Sequence, residues 1–149
     1  MERNILRNKR GVALIIALIM LLLLTFIGIS AISTTTFETI ISGNERVGTV
    51  AFYASEAIFQ MGLDQLPDTK AIARTKIGDD SYGWSGRTTD KESPKDLIHF
   101  GLHPKAGYDS SWAFRRYQIN ATGESFQAAK EIEAQVSYGP ISAGTQYNN

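Results

Sequence analysis

From Gly11 to Phe37 the chain carries no charged residue, and Val12 to Ile32 is apolar except at Thr25, Gly28 and Ser30. A helix rising about 1.5 Å per residue needs about 20 apolar residues to cross a hydrocarbon core of about 30 Å. This pattern therefore predicts a membrane-spanning helix. Polarity begins at Ser33-Thr34-Thr35-Thr36, yet helical spacing resumes at once. Phe37, Ile40, Ile41, Val47, Ala51, Ala54, Ile58 and Met61 recur mostly at three- and four-residue steps, with Glu38, Glu45, Arg46, Glu56 and Gln60 between them. That is the period of an amphipathic helix. Pro67, the first proline after the span, is a stop signal behind Leu66. The simplest prediction is one helix of about 55 residues, about 80 Å long. Its first half lies in lipid and its second half packs on a domain.

This helix has soft places. Gly28 costs about 1 kcal/mol against alanine, and Ser30 to Thr36 is rich in weak helix formers. Gly43 and Gly48 follow. Small residues of this kind let membrane helices approach one another. The alternative use is local unwinding when the helix leaves the bilayer for an assembly.

Beyond Asp68 the pattern changes. Gly78, Gly83, Gly86, Gly101, Gly107, Pro94 and Pro104 punctuate the stretch to Asp109, which reads as loops with short elements, Leu97 to Leu102 being a candidate strand. The end of the chain is more regular. Tyr117, Ile119 and Ala121 alternate with Arg116, Gln118 and Asn120, and Ile132, Ala134, Val136 and Tyr138 alternate with Glu131, Glu133, Gln135 and Ser137. Period two with polar partners predicts two half-buried antiparallel strands. Thr122-Gly123-Glu124 is the expected turn between them, and Gly139-Pro140 the expected end of the second. The predicted class is α+β: a long N-terminal helix packed on a small antiparallel β-sheet. Phe37, Ile41, Val47 and Ile58 are the expected helix-to-sheet contacts. No internal repeat or low-complexity tract is present.

Charge adds an orientation. Arg3, Arg7, Lys9 and Arg10 stand before the span against one acid, Glu2. By the positive-inside tendency the N-terminus stays cytoplasmic and the rest is exported. Taking these four bases and one acid from the fifteen of each in the chain leaves 11 Lys/Arg and 14 Asp/Glu from Val12 onward. A mildly acidic exported part argues against a nucleic-acid partner. The apolar run exceeds the 7–15 residues of a cleaved secretory signal, although Gly28-Ile29-Ser30-Ala31 loosely imitates a cleavage site. With no cysteine, thiolate chemistry and Cys-type zinc sites are excluded. The chain divides into a basic leader (1–11), a transmembrane part (12–36), an amphipathic part (37–66) and an exported domain (67–149). That last part with the amphipathic helix, about 110 residues, suffices for one modest core.

The order of leader, glycine, apolar helix, amphipathic helix and sheet resembles type IV pilins and type II secretion pseudopilins. More specifically, the chain resembles the PilX-type minor pilins. The likeness rests on Arg10-Gly11, Ala13-Leu14-Ile15, Leu24-Thr25 with Gly28, and Thr34-Thr35-Thr36 with Glu38. It continues through Ser42-Gly43-Asn44 and Ala51-Phe52-Tyr53-Ala54-Ser55-Glu56-Ala57. It covers about the first 65 residues; past Pro67 it is architectural only. The resemblance implies cleavage by a prepilin peptidase between Gly11 and Val12, and methylation of the new N-terminus at Val12. Most major pilins begin with phenylalanine there, so valine is a mild departure. Most pilins also carry glutamate at the fifth residue after the cut, where this chain has Ile16. That glutamate is thought to pair with the amine of a neighbouring subunit. PilX-like subunits and the tip pseudopilin commonly lack it. The implied role is a minor pilin at the filament tip that helps prime assembly. Implied partners are other minor pilins, the major pilin, the prepilin peptidase and the inner-membrane assembly platform. The alternatives are a tip-displayed adhesin using the loops from Gly78 to Tyr108, a type II secretion pseudopilin, and an uncleaved signal-anchored periplasmic protein.

Reactive constellations are few. His99 and His103 stand four apart near Asp96 and Asp109, but Gly101 and Pro104 argue against the helix that a shared metal would need. Asp79-Asp80-Ser81 and Asp90-Lys91-Glu92 lack calcium-loop spacing. Asn120-Ala121-Thr122 fits the minimal glycosylation pattern, as any polar alternation in a strand can. Tyr82, Trp84, Tyr108 and Trp112 are candidates either for a binding surface or for the core. Arg115-Arg116-Tyr117 is too little for a nucleic-acid site. No triad and no phosphate loop is recognisable. The expectation is a structural protein, not an enzyme, with no cofactor and no metal.

Overall fold

The computed structural model describes residues 9–144. One helix, α1, runs unbroken over Lys9–Gln65. Five strands follow: β1 (Thr75–Gly78), β2 (Ser81–Ser85), β3 (Ile98–His103), β4 (Trp112–Ser125) and β5 (Ala128–Ser142). By compactness the chain forms two units, one ending at Gly43 and the other starting at Asn44. The helix thus belongs in part to each, and each is described by itself.

The first unit is α1 up to Gly43. Its large apolar side chains from Val12 to Ile32 are 50–70% exposed. None of the described residues covers them. The threonines that weaken this sequence as a helix bond back onto it. Thr25 donates to the Leu21 carbonyl (2.8 Å), Thr34 to Ser30 (3.1 Å), Thr35 to Ala31 (3.0 Å), Thr36 to Ile32 (2.9 Å) and Thr39 to Thr35 (2.9 Å). Each hydroxyl is thereby satisfied within its own helix, as an apolar surrounding requires.

The second unit packs the rest of α1 on an antiparallel sheet. β4 is the spine. β2 and β3 share one of its edges in succession, with β1 outside β2, and β5 lies along the other. The helix crosses where two glycines face each other in register, Gly83 on β2 and Gly123 on β4. A Cβ on Gly123 would enter the Ala51 carbonyl and the Ser55 amide, and one on Gly83 would enter Ile58. Farther along, a Cβ on Gly62 would meet Ile119 at 3.0 Å. Ala51, Ala54, Ser55 and Ile58 are buried here against Ile119 and Ala121.

Gly123 is therefore not the hairpin turn. Thr122-Gly123-Glu124 lies inside β4, and β4 and β5 are joined through Phe126 and Gln127, with Phe126 at φ 50°. A strand glycine marks either a bend or a close backbone approach, and here it is the latter. Gly139-Pro140 does not end β5. Pairing shifts register there and resumes at Ala113↔Ile141. Gly139 takes φ 150°, and proline is tolerated because β5 is an edge strand at an irregularity.

The predicted loop stretch holds three strands and a cover. The segment after β2, with a single 3-10 turn at Thr88–Asp90, lies over the sheet face opposite the helix. Trp84 is buried there and its Nε1 donates to the Arg87 carbonyl (2.9 Å). Ser85, two residues from Gly83 and so on the helix side of β2, ties the segment after α1 to the segment before β3. Its hydroxyl accepts from the Ile72 amide (2.8 Å) and donates to the Lys95 carbonyl (2.6 Å). Thr122 donates to the Gly86 carbonyl (2.7 Å).

Candidate assembly surface

The positions that the resemblance assigns to processing and assembly lie on α1. Lys9–Gln65 includes Gly11 and Val12 as helical residues. Arg3 and Arg7 of the basic leader lie outside the described residues. Val12 is 50% exposed and Ile16, one helical turn on, is 51% exposed. Positions four apart share a face. Ile16 thus offers methyl groups beside Val12 where a carboxylate would offer charge.

The four expected helix-to-sheet residues divide. Ile58 is fully buried and Val47 half-buried. Phe37 and Ile41 are each 64% exposed and belong to the first unit, so the expected burial is not found at these two positions. Within the second unit the buried stripe begins at Ala51, just after Gly48, where a Cβ would meet Lys130 Cε at 3.6 Å. Phe37 and Ile41 extend the uncovered apolar surface instead. Period alone could not separate these two fates, since both stripes recur at helical spacing.

The remaining candidates are mostly structural. His99 pairs with Tyr117 and His103 with Phe114, three residues apart on β4 and so on opposite faces. They cannot share a metal from there. His103 Nε2 lies 3.3 Å from Ser137 Oγ. Asp96 accepts from the Ala71 amide (2.8 Å), and Asp109 accepts from Ser110 and Ser111. Among the described residues no group of three or more His, Asp or Glu is placed to hold a metal. In the glycosylation-like triplet Thr122 is fully buried and its hydroxyl engaged. Trp84 is core; Tyr82 lies under Arg74, whose guanidinium carbon is 3.8 Å from the ring centre. Tyr108 and Trp112 stay 49% and 44% exposed.

Electrostatics on the covered sheet face is fixed by short bonds. Lys91 Nζ reaches Glu124 at 2.7 Å. Glu131 accepts from both the hydroxyl and the amide of Thr88, and these bonds hold its carboxyl below the usual range. The loop cover is thereby tied to β5, a link that no sequence pattern announced.

The family described as PilX N-terminal matches residues 10–59. No curated protein and no solved structure matches the chain. The match takes in the cleavage-like Gly11-Val12 step, the uncovered apolar helix and the buried stripe as far as Phe59, and it stops short of the sheet. Over these residues, about a third of the chain, the sequence is similar to the PilX N-terminal family. One long apolar helix near the N-terminus fits a single-pass membrane anchor.

Proposed function

We propose that this chain is a minor pilin of type IV pilus assembly. It enters the bacterial inner membrane with its N-terminus cytoplasmic and its second unit periplasmic. Prepilin peptidase cuts between Gly11 and Val12, and Val12 is methylated. The subunit then joins other minor pilins, primes the filament on the inner-membrane platform and ends at its tip.

The observation that carries this reading is Ile16, inside a region that otherwise matches the PilX N-terminal family. An amine buried among apolar helices costs several kcal/mol without a counter-charge. A subunit with isoleucine there cannot neutralise a neighbour's amine. It suits the one place where no such neighbour needs it. The apolar side chains from Val12 to Ile41, left exposed among the described residues, support helix packing as the working contact.

The test is the intact mass and N-terminus of the membrane-extracted protein, with and without prepilin peptidase. A peptidase-dependent start at methylated Val12 is expected. A start at Met1 in both strains would make the chain an ordinary signal anchor and remove the tip reading. Deletion of the gene should then abolish surface pili; loss of protein secretion with pili intact would place the subunit in a secretion pseudopilus. Exposed Tyr108 and Trp112 favour one added role, a tip-displayed binding surface. Normal piliation with lost adhesion in a Trp112→Ala strain is its expected signature, and unchanged adhesion its refutation.

A further inference from the structure

The long edge of the sheet is open. β5 runs for 15 residues and, among the described residues, pairs only with β4. Its register is unbroken from Ser125↔Ala128 to Arg115↔Tyr138. Along its other side, alternate residues present amides and carbonyls to solvent. Between Ala128 and Tyr138 there is no proline or glycine to blunt that edge.

The two faces of this edge differ. Toward the helix, the register places Lys130, Ile132, Ala134, Val136 and Tyr138 beside the buried row of β4. Ile132, Ala134 and Val136 are only half-buried and Tyr138 is 40% exposed. On α1, Gly48 adjoins Lys130. One turn along the same stripe Phe52 is 44% exposed. Helix and edge strand thus border an apolar shelf that is unfilled. On the opposite face Glu131 and Glu133 stand two apart, held by Thr88 and by Gln118 Nε2 (2.7 Å) respectively. An added strand would find apolar contacts on one face and fixed carboxylates on the other.

A second copy is a poor occupant. Ala51 lies by Gly123 and Gly62 by Ile119, so β4 runs against the helix and β5 runs with it. Antiparallel β5–β5 pairing would set the two helices running in opposite directions. Two such copies could not both insert from one membrane. We propose that the outer edge of β5, Lys130 to Tyr138, receives an extended segment of another protein. That segment alternates apolar residues, laid on the shelf by α1, with lysine or arginine facing Glu131 and Glu133. The backbone supplies the pairing, and the alternating side chains supply the selection.

The experiment uses the full chain in maltoside micelles and a Lys-Val alternating peptide of about eight residues, capped at both ends. Amide exchange of β5 is followed by mass spectrometry and NMR. The peptide should slow exchange at alternate β5 residues between Lys130 and Tyr138. A Glu-Val peptide should not, and Glu133→Lys should weaken binding about fivefold, with unchanged β4 protection showing an intact fold. A fully N-methylated Lys-Val peptide, unable to donate along either edge, should not bind. No slowing of β5 amides would overturn the proposal. So would equal binding of the methylated peptide, which would reduce the contact to charge alone. Outer β5 amides already protected without peptide, and released on dilution, would assign the edge to a second copy instead.

Discussion

The two halves of α1 have the same period and opposite fates. From Val12 to Ile32 the helix is apolar nearly all round and exposed, and beyond the polar stretch from Ser33 the side chains of Phe37 and Ile41 are as open as those before them. From Ala51 to Gly62 the stripe is narrow, small and closed: Ala51, Ala54, Ser55 and Ile58 are each at most 1% exposed. The lower half finishes its burial within its own chain. The upper half can finish only in lipid or against other helices. A helix of one continuous backbone is therefore two devices, divided by what covers each.

The sharpest way to break that comparison is to place the same charge in both halves. Ile58→Asp puts an unpaired carboxylate into the closed stripe and should cost about 4 kcal/mol or more. Thermal unfolding of the full chain in detergent should show the sheet domain lost or its Tm sharply lowered. Ile41→Asp should leave that transition in place while impairing membrane extraction and assembly. Equal Tm values for Ile58→Asp and the parent would remove the assigned buried face.

A methyl group separates the halves at smaller scale. Gly123→Ala drives a Cβ into the Ala51 carbonyl and the Ser55 amide, backbone atoms that cannot swing aside. It should destabilise by about 2 kcal/mol. Gly43→Ala meets nothing within 4 Å and removes a poor helix former, so it should be neutral or stabilising by up to about 1 kcal/mol. Opposite signs in denaturant midpoints are the expected result; a loss of like size at both glycines would mean that the crossing is not tight.

The clasp at Ser85 between the segment after α1 and the segment before β3 ranks next. Ser85→Ala leaves the Ile72 amide and the Lys95 carbonyl without their shared partner. In a site where Ser85 is 1% exposed, that should cost about 1–3 kcal/mol. Faster exchange of the Ile72, Ser85 and Lys95 amides, with those of α1 unchanged, would assign the loss to this clasp rather than to the helix.

These contrasts also explain what the sequence made legible. The span, the continuing helix and the paired C-terminal strands each repeat one period over many residues, and they were read as such. The start of the buried stripe along α1 was not, because Phe37 and Ile41 keep the same spacing as Val47 and Ile58. Gly123 and Pro140 were read as local punctuation; one instead admits the helix backbone and the other sits on an edge. Trp84 was named as a core candidate and is buried, but Ser85 was hidden for a different reason. Its burial depends on distant segments returning beside the strand, and long-range closure of that kind leaves no periodic trace. The same holds for Glu131, which alternation marked as an outward polar residue while Thr88 is 43 residues away in sequence.

Glu131 supplies the smallest effect and one that the apolar half cannot share. Its carboxylate accepts the Thr88 hydroxyl and amide, and these bonds lower its pKa. A depressed folded pKa means that the carboxylate stabilises the fold fully above its unfolded value of about 4.3. That stability is lost as pH falls through the folded value. Because the group is largely exposed, the contribution at neutral pH should stay below about 1 kcal/mol. Glu131→Gln should lower the Tm of the domain slightly at pH 7, and the gap from the parent should close by pH 3. Between Gly11 and Phe37 there is no charged residue to respond, so membrane partitioning of the first half should not change over that range through any group of its own. A Tm gap that persists unchanged at pH 3 would show that Thr88 binds the side chain by shape rather than by charge, and the clasp between loop and edge strand would then be independent of protonation.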